Sequence, residues 1–451
     1  MRGLRSTIAL VVVLAGLGAY IYFTRNRPID EGTPKPQKVF ASLQSDKIDA
    51  LKITSEKDET TTLTKSGAGW QITDPSPAKA DDGEVSSITT SLSSVDLTRA
   101  IDDNPTSLKD YGLEKPRIDV AFKSGGGQDY QHLLIGDKSP TGGDLFAMRG
   151  NEKKVFLIPA AQEQTFNKSP FDLRDKTLVK FERDKVDGID LTADGKTLAL
   201  AKDGGDWKIT KPLQVAADFG SVEGLVGRLQ SLQMKSIVKS DPTPADLKTY
   251  GLDKPAETAT LNLGSARATL ELGGKADENA VYARDTSKPT VVTVEGALAD
   301  DLKKGADEYR RKDLFDFRAY NANRIEFTRN GQTVAFEKVK ADAKDAKDAG
   351  DKWRRVGPKP ADATKDTMDG LLSRLSNMRA ASFVDSTAKT GLDKPELTVT
   401  VKFDDGKKEE HVSFGRADND IYAARPGEPG AAKVDATDFS EALKALDDLS
   451  K

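Results

Sequence analysis

A six-residue turn occurs three times in the chain. It reads YGLEKP at 111–116, YGLDKP at 250–255 and TGLDKP at 390–395, so successive copies are about 140 residues apart. This period is far longer than the roughly 20–50 residues of a solenoid repeat, and a unit of this length can bury a core of its own. The repeat therefore predicts three similar folded modules in series.

The rest of the chain aligns on these turns. Each copy contains one of the three tryptophans of the chain, a proline five residues later, and an Asp or Thr of the helix N-cap type eleven residues later. The turn adds a glycine and a proline in every copy, and a tyrosine in two. The positions that define the repeat are Trp70, Pro75, Asp81, Tyr111, Gly112 and Pro116; Trp207, Pro212, Asp218, Tyr250, Gly251 and Pro255; and Trp353, Pro358, Thr364, Gly391 and Pro395.

Each copy combines alternating apolar runs with one helical pattern. Runs such as IDVAF and HLLIG in the first copy have the period of two that predicts antiparallel strands joined by hairpins. Apolar residues at helical spacing follow each N-cap residue and predict an amphipathic helix. These residues are Val85, Ile88 and Leu92; Val222, Leu225 and Leu229; and Met368, Leu371, Leu372 and Leu375. We therefore expect an α+β fold with three modules of antiparallel strands, each with one capped helix, over residues 39–180, 181–317 and 318–451.

The shared residues are expected to serve folding. The glycine of each turn should adopt a backbone conformation that a β-carbon would hinder, and the proline should stiffen the approach to the next strand. A turn that grips a ligand is the alternative. Burial of the tryptophans against the helix would favour a structural role, whereas a ligand-binding module would leave them beside a cleft.

The N-terminus predicts a membrane anchor. Residues 6–23 carry no charge, and as a helix they would measure about 27 Å, which is close to the hydrocarbon thickness of a bilayer. We expect a signal anchor over 1–27, a proline-rich linker over 28–38, and a single-pass protein of the bacterial inner membrane with its C-terminal body in the periplasm. A signal peptide cleaved near Gly16 and Gly18 is the competing interpretation.

The chain offers few of the residues that common reactive sites need. It has no cysteine, which excludes disulfides, thiol nucleophiles and thiolate metal sites. Its two histidines, His132 and His411, lie four residues before Gly136 and Gly415 in different copies, so they are not expected to share a metal ion. The GKT at 195–197 lacks the first glycine of a phosphate loop, and the calcium-like run from Asp190 ends on Ala201 instead of a glutamate.

No catalytic residue, cofactor or metal site is therefore predicted, and a formal net charge of −4 gives no reason to expect nucleic acid as a partner.

The combined motifs resemble a known bacterial family. A membrane anchor, W-x-I, a proline, AD before a helix, the YGL-x-x-P turn and an IG…YA pair are similar to those of domain-of-unknown-function family 4340. The resemblance covers residues 39–451, and the third copy departs from it by lacking the tyrosine and a counterpart of FDLRDK at 171–176. It implies an envelope companion of ABC-type export systems related to gliding-motility transporters, and it supplies no catalytic residues.

Three functions are open at this point. The leading hypothesis is a non-enzymatic, membrane-anchored periplasmic scaffold or adaptor that contacts a membrane protein complex, such as an ABC-type transporter, and is held at the inner membrane by residues 6–23. The alternative is a periplasmic glycan- or peptide-binding protein whose clefts are lined by Trp and Tyr. A hydrolase with two catalytic carboxylates is a more distant third, which would need both acids in one cleft.

Overall fold

The structure is a computed structural model that describes residues 37–67, 69–339 and 352–450. It divides into two compact units, Met1–Lys176 and Thr177–Lys451. The predicted anchor at 6–23 lies outside the described residues, as does most of the predicted linker. Within the ranges given, no helix is long and apolar enough to cross a bilayer.

The first unit contains one β-sheet module, and the second unit contains two. The strands of the first module are β1 (Gln37–Lys38), β2 (Ile48–Thr54), β3 (Thr60–Ser66), β4 (Gly69–Asp74), β5 (Ala78–Lys79), β6 (Asp96–Leu97), β7 (Arg99–Asp102), β8 (Ile118–Ser124), β9 (Gln131–Lys138), β10 (Asp144–Arg149) and β11 (Val155–Pro159). Those of the second are β12 (Gly188–Ala193), β13 (Lys196–Asp203), β14 (Asp206–Lys211), β15 (Val215–Ala216), β16 (Ser236–Lys239), β17 (Glu257–Leu263), β18 (Ala266–Asp277), β19 (Ala280–Asp285) and β20 (Val291–Glu295). Those of the third are β21 (Ala322–Arg329), β22 (Gln332–Val339), β23 (Lys352–Gly357), β24 (Ala361–Asp362), β25 (Ala380–Val384), β26 (Leu397–Phe403), β27 (Lys408–Ala417), β28 (Asp420–Ala424) and β29 (Ala431–Val434).

Helices are fewer and mostly short. They are α1 (Asp82–Ser94), α2 (Gln162–Phe166), α3 (Phe219–Gln230), α4 (Pro244–Thr249), α5 (Ala297–Leu302), α6 (Ala306–Tyr309), α7 (Lys365–Ser376) and α8 (Ala436–Ser450). Short 3₁₀ turns cover Ser45–Lys47, Lys109–Tyr111 and Arg183–Lys185. The three helices predicted after the N-cap residues are α1, α3 and α7.

Each module is built on one antiparallel sheet of nine strands, and the strand order is the same three times. It is β5-β4-β3-β2-β8-β9-β10-β11-β7 in the first module, β15-β14-β13-β12-β17-β18-β19-β20-β16 in the second and β24-β23-β22-β21-β26-β27-β28-β29-β25 in the third. The chain leaves one edge of the sheet, forms the helix, adds a short strand at the opposite edge and then returns to the centre. The predicted α+β fold of three similar modules is confirmed.

Each module has its own hydrophobic core, as the repeat length predicts. The sheet contributes alternating side chains, and the main helix contributes the predicted apolar positions, all of which are buried: Val85, Ile88 and Leu92; Val222, Leu225 and Leu229; and Met368, Leu371, Leu372 and Leu375. The chain passes from one core to the next between Leu173 and Leu178, and again between Tyr309 and Leu314. The modules are therefore separately packed bodies.

Equivalent short segments lead into the three modules. The backbone N–H groups of Val39, Leu178 and Leu314 donate to the carbonyls of Val95, Leu232 and Met378, the residues that come one or two positions after the main helix. After its last strand, the first module continues into α2 and the second into α5 and α6, and each then ends on a short connecting segment, whereas the third continues into α8. Phe439, Leu443 and Leu446 of α8 belong to the core of that module.

Candidate functional site

The repeated turn lies against a glycine in the middle of each sheet. A β-carbon built on Gly136, Gly273 or Gly415 would lie 2.1, 2.2 or 2.5 Å from the carbonyl oxygen of Tyr111, Tyr250 or Thr390 respectively. These strand glycines allow the turn to contact the backbone of β9, β18 or β27 directly. We call this contact the turn lock, formed by 111–113 against Gly136, 250–252 against Gly273 and 390–392 against Gly415.

The glycine of each turn has a left-handed backbone. Gly112, Gly251 and Gly391 have φ values of 66°, 71° and 72°, which confirms the conformation expected from the sequence. The prolines of the turn, Pro116, Pro255 and Pro395, lie between the turn lock and the central strands β8, β17 and β26. In each module the repeated turn therefore holds its loop against the sheet of the same module.

An aromatic pair accompanies the turn lock in two modules. The ring centroids of Tyr111 and Phe146 are 5.1 Å apart, and those of Tyr250 and Tyr282 are 4.7 Å apart. The third module has Thr390 in place of the turn tyrosine, and this hydroxyl donates to the carbonyl of Thr387 at 2.5 Å. The tyrosine of the repeat is therefore used for packing within the module.

The three tryptophans are core residues. The exposed fractions of Trp70, Trp207 and Trp353 are 7%, 1% and 2%, which confirms burial. Their carbonyls accept the backbone N–H of Ala80, Ala217 and Ala363 respectively, so each tryptophan also positions the short strand in front of the helix. None of the three indoles is exposed enough to stack against a sugar.

Trp207 has an additional polar contact. Its indole N–H donates to a carboxylate oxygen of Glu223 at 2.9 Å, and the other oxygen of Glu223 accepts from Arg183 at 3.0 Å. Burial raises the pKa of Glu223, but the hydrogen bonds from Trp207, Arg183 and Lys202 outweigh burial, so the pKa of this carboxyl is lowered. Glu223 therefore stays ionised as a structural acceptor.

The helix caps differ between the copies. The Asp81 carboxylate accepts backbone N–H groups from Gly83 and Glu84, and the Asp218 carboxylate accepts from Ser221. Thr364 holds the same N-cap position, but its side chain accepts no N–H of α7 in the part of the chain that the structure describes. Among the described residues, the side-chain cap expected at Thr364 is therefore not formed.

The remaining repeat prolines share one geometry. Pro75, Pro212 and Pro358 each follow a cis peptide bond, between the strand that contains the tryptophan and the short strand in front of the helix. The sequence predicts a stiffened loop at these positions.

The histidines lie on strand surfaces at equivalent positions. Nδ1 of His132 is 2.9 Å from Oδ1 of Asp119, and His411 contacts Thr400 and Glu409 at 2.8 and 2.9 Å. The second module has a Thr260–Thr269 hydrogen bond at this position. Across the described ranges, no group of three or more His, Cys, Asp or Glu side chains could hold a metal ion.

A cleft in the second module is open and polar. It has a volume of about 940 Å³ and lies between the end of α3, the β18–β19 hairpin and α5. Its charged lining residues are Lys235, Lys275, Asp277, Glu278, Glu295, Asp300 and Lys303. Its apolar lining consists of small or aliphatic side chains such as Met234 and Val281. The cleft offers both charge signs and no aromatic platform.

The second and third modules are joined by a buried arginine. Arg310 is 5% exposed, and its Nη2 donates to Glu428 and to the Pro429 carbonyl, each at 3.2 Å. Its guanidinium carbon lies 4.2 Å from the ring centroid of Phe383. A neighbouring space of about 20 Å³ has room for one water molecule. These contacts fix the two modules of the second unit to each other.

Comparison with known proteins places the chain in a family. The model of a family described as a domain of unknown function, DUF4340, matches residues 70–208, 207–390 and 353–451. The chain belongs to the DUF4340 family. Each DUF4340 match begins at the tryptophan of one module, and the first two continue into the next module. The segments matched by the family model are therefore offset along the chain from the folded modules.

Other comparisons add little. No curated protein matches the chain. A solved structure, a DNA polymerase sliding clamp from Pseudomonas aeruginosa with ligand, is 8% identical, and the alignment covers 88% of this chain and 93% of that chain. Its TM-score of 0.16 is too low to support a structural argument.

Two sets of residues in this DUF4340 chain were not recognised as important from the sequence. The sequence pattern does not indicate a role for Gly136, Gly273 or Gly415, although these glycines complete the turn lock. The arginines Arg174 and Arg310 lie in the similar strings LRDK and YRRK, and each pairs with the short strand in front of a main helix. The R-x-K string that follows the last strand in the first and second modules is the sequence feature that could have indicated these bridges.

Proposed function

We propose that this DUF4340 protein is a non-enzymatic scaffold or adaptor that is anchored in the bacterial inner membrane by residues 6–23 and presents its three modules in the periplasm. Its partner is a membrane protein complex of the ABC-transport or envelope type. The observation that supports this proposal most is the use of the repeated residues inside the modules. The turn lock, the buried tryptophans and the prolines serve folding, which leaves the differing module surfaces for contacts with other proteins.

Three modules on one chain suit a scaffold physically. Contacts smaller than roughly 600 Å² per partner surface are individually weak. Linking them raises the effective concentration of the second and third contacts once the first has formed. Arg310 fixes the relative placement of the second and third modules, so two of these surfaces would be presented with a constant geometry.

The proposal is tested by co-purification from native membranes after crosslinking. We expect the full-length chain to retain a transporter-like complex, and a chain that begins at Val39 to lose it. The double variant His132→Ala/His411→Ala is the matched control and should retain the complex. A point variant that keeps the fold and the partner but loses cellular function would contradict a scaffold and favour chemistry or ligand binding.

Membrane topology is tested separately. A C-terminal alkaline phosphatase fusion should be active and should remain with membranes after a carbonate wash. Release of a soluble fragment that begins near Ala19 would instead support a cleaved signal peptide.

A peptide-binding function is the second candidate, and the cleft of the second module supports it. Its mixed Lys and Asp or Glu lining suits the two charged ends of a short peptide better than a glycan, for which aromatic faces are the usual platform. Thermal-shift measurements with zwitterionic tetrapeptides test this function. Stabilisation that is lost in Lys275→Ala/Lys303→Ala would support it.

A further inference from the structure

The third module leaves open a strand edge that the other two modules fill. In the first module Ala80 forms an antiparallel bridge with Arg174, and in the second Ala217 forms one with Arg310. The equivalent residue of the third module is Ala363, which also comes ten residues after the tryptophan. Ala363 forms no such bridge with any residue that the structure describes.

The hydrogen bonds of the filled edges define what is missing. Each bridge uses one backbone N–H and one carbonyl of the short edge segment. The bonds are Asp81 N–H to Leu173 C=O at 2.9 Å, Asp175 N–H to Lys79 C=O at 2.9 Å, Asp218 N–H to Tyr309 C=O at 2.7 Å and Arg311 N–H to Ala216 C=O at 3.0 Å. The equivalent groups of the third module are the Thr364 N–H and the Asp362 carbonyl. Within the described ranges, neither is paired with an added strand.

The alanine at this edge is buried in the first two modules and more exposed in the third. Ala80 and Ala217 are 1% and 7% exposed beneath the added segment. Ala363 is half-buried, and Asp362 and Thr364 on either side are exposed. Helix α8 completes the apolar core of this module, so the core is closed while the backbone edge stays open.

We infer that the edge Asp362–Thr364 binds a short segment of a partner polypeptide, which forms an antiparallel bridge with Ala363 like the bridges of Ala80 and Ala217. This inference deepens the proposed scaffold function, because it names one contact surface and the chemistry of its partner. The first two modules show the kind of segment that fits, because their own segments occupy the equivalent edge. Each segment has a buried apolar residue, Leu173 or Tyr309, immediately before the bridging arginine.

The charge of the edge residue before the bridge indicates which residue of the partner segment should follow the bridge. In the first module Lys79, one residue before the bridge, is 3.8 Å from Asp175 of the added segment. The third module has Asp362 at the position of Lys79, and Asp362 forms no ion pair within the described part of the chain. The partner residue opposite Asp362 should therefore be basic, as Arg311 is in the second module. The expected partner segment reads apolar, bridging residue, basic.

Disulfide trapping tests the inference, and the absence of cysteine from the chain makes an introduced thiol unique. The full-length variant Ala363→Cys is mixed with peptides that copy 306–312 and carry, at the position of Arg310, a cysteine supplied as its 2-thiopyridyl disulfide, so that attack by the thiolate introduced at position 363 forms the mixed disulfide and releases pyridine-2-thione. One peptide, ADEYCRK, keeps the basic residue, and its companion, ADEYCDK, carries an acid there. Cysteines of directly opposed strand residues are close enough for a mixed disulfide. The measurement is the fraction of chain captured as reductant is increased.

We expect Ala363→Cys to capture the basic peptide about fivefold more strongly than the acidic peptide, as for an attractive cross-strand pair. Adding Asp362→Lys should reverse the preference. Adding Thr364→Pro removes the N–H and should lower capture of the basic peptide about fivefold. Proline is tolerated because Thr364 has a φ of −64°. Thr364→Ala keeps the N–H and is the matched control.

Ser382→Cys on β25, at the opposite edge of the same sheet, controls for unspecific capture and should show no preference between the peptides. Equal capture of both peptides by Ala363→Cys, or capture that is insensitive to Thr364→Pro, would overturn the inference. Neither result depends on the membrane. If Ala363→Cys fails to capture the basic peptide while the full-length chain still co-purifies with the membrane complex, only the role of this edge is rejected. If the peptide is captured but the full-length chain does not co-purify with a membrane complex, the scaffold function is rejected.

Discussion

The second and third modules share the turn lock but differ in the side chains around it. Gly251 and Gly391 have almost the same φ, and Gly273 and Gly415 both allow a carbonyl to come close to the strand. The tyrosine pair of the second module has no counterpart in the third, where a threonine hydrogen bond replaces it. The comparison shows that the repeat preserves a backbone contact, while the side chains that support it are exchangeable.

The strand glycines should be the least replaceable residues of the repeat. In Gly273→Ala the new β-carbon would lie 2.2 Å from the Tyr250 carbonyl oxygen, so turn and strand must separate. We expect the free energy of unfolding of the second module to fall by about 3 kcal/mol. Guanidinium unfolding followed by Trp207 fluorescence, in a Trp70→Phe/Trp353→Phe background, measures the change.

Gly224→Ala in α3 is the matched control for this change. Nothing lies within 4 Å of its new β-carbon, so it should leave the module as stable or slightly more stable. An equal effect of the two substitutions would show that the turn lock does not hold the turn.

The turn glycines should separate the two modules. In Gly391→Ala the β-carbon would lie 2.3 Å from the Arg416 carbonyl oxygen, whereas in Gly251→Ala it would lie 3.0 Å from the Gly274 nitrogen. Each substitution places a side chain at a residue with positive φ, which should lower the free energy of unfolding by about 1–2 kcal/mol. In the third module the clash should lower the free energy of unfolding by about 1 kcal/mol more. Denaturant unfolding with Trp353 or Trp207 as the single reporter compares them, and a larger loss in the second module would contradict the geometry.

The sequence allowed the repeated units to be recognised because their strands alternate and their helices carry regular apolar positions. It also allowed the positive φ of Gly112, Gly251 and Gly391 to be predicted, since glycine in a short turn has a local cause. The place of β7, β16 and β25 at the far edge could not be predicted, because these short strands pair with residues distant in sequence. The open edge at Ala363 was visible only as a missing FDLRDK-like string, whose meaning depends on the Ala80–Arg174 contact.

The helix caps should distinguish the modules by about 1 kcal/mol. Asp218→Ala removes a carboxylate that accepts the Ser221 N–H at 2.7 Å, and we expect it to destabilise the second module by about 1 kcal/mol. Thr364→Ala removes no side-chain cap and should have little effect on the third module. Thermal unfolding of each variant measures the difference, with Asp218→Asn as a control that keeps an acceptor. A similar loss in both modules would mean that Thr364 also caps its helix in solution.

The aromatic pair should contribute a difference no larger than that of the helix caps. Tyr250 and Tyr282 pack with tilted rings at 4.7 Å, an arrangement that contributes about 1 kcal/mol beyond simple burial. A double-mutant cycle with Tyr250→Leu and Tyr282→Leu isolates the coupling between the rings, because each single variant removes the same contact. The equivalent cycle with Thr390→Leu and Tyr422→Leu should give a coupling near zero, since Thr390 bonds to Thr387 instead. Equal coupling in the two cycles would show that the third module preserves the side-chain contact as well as the backbone.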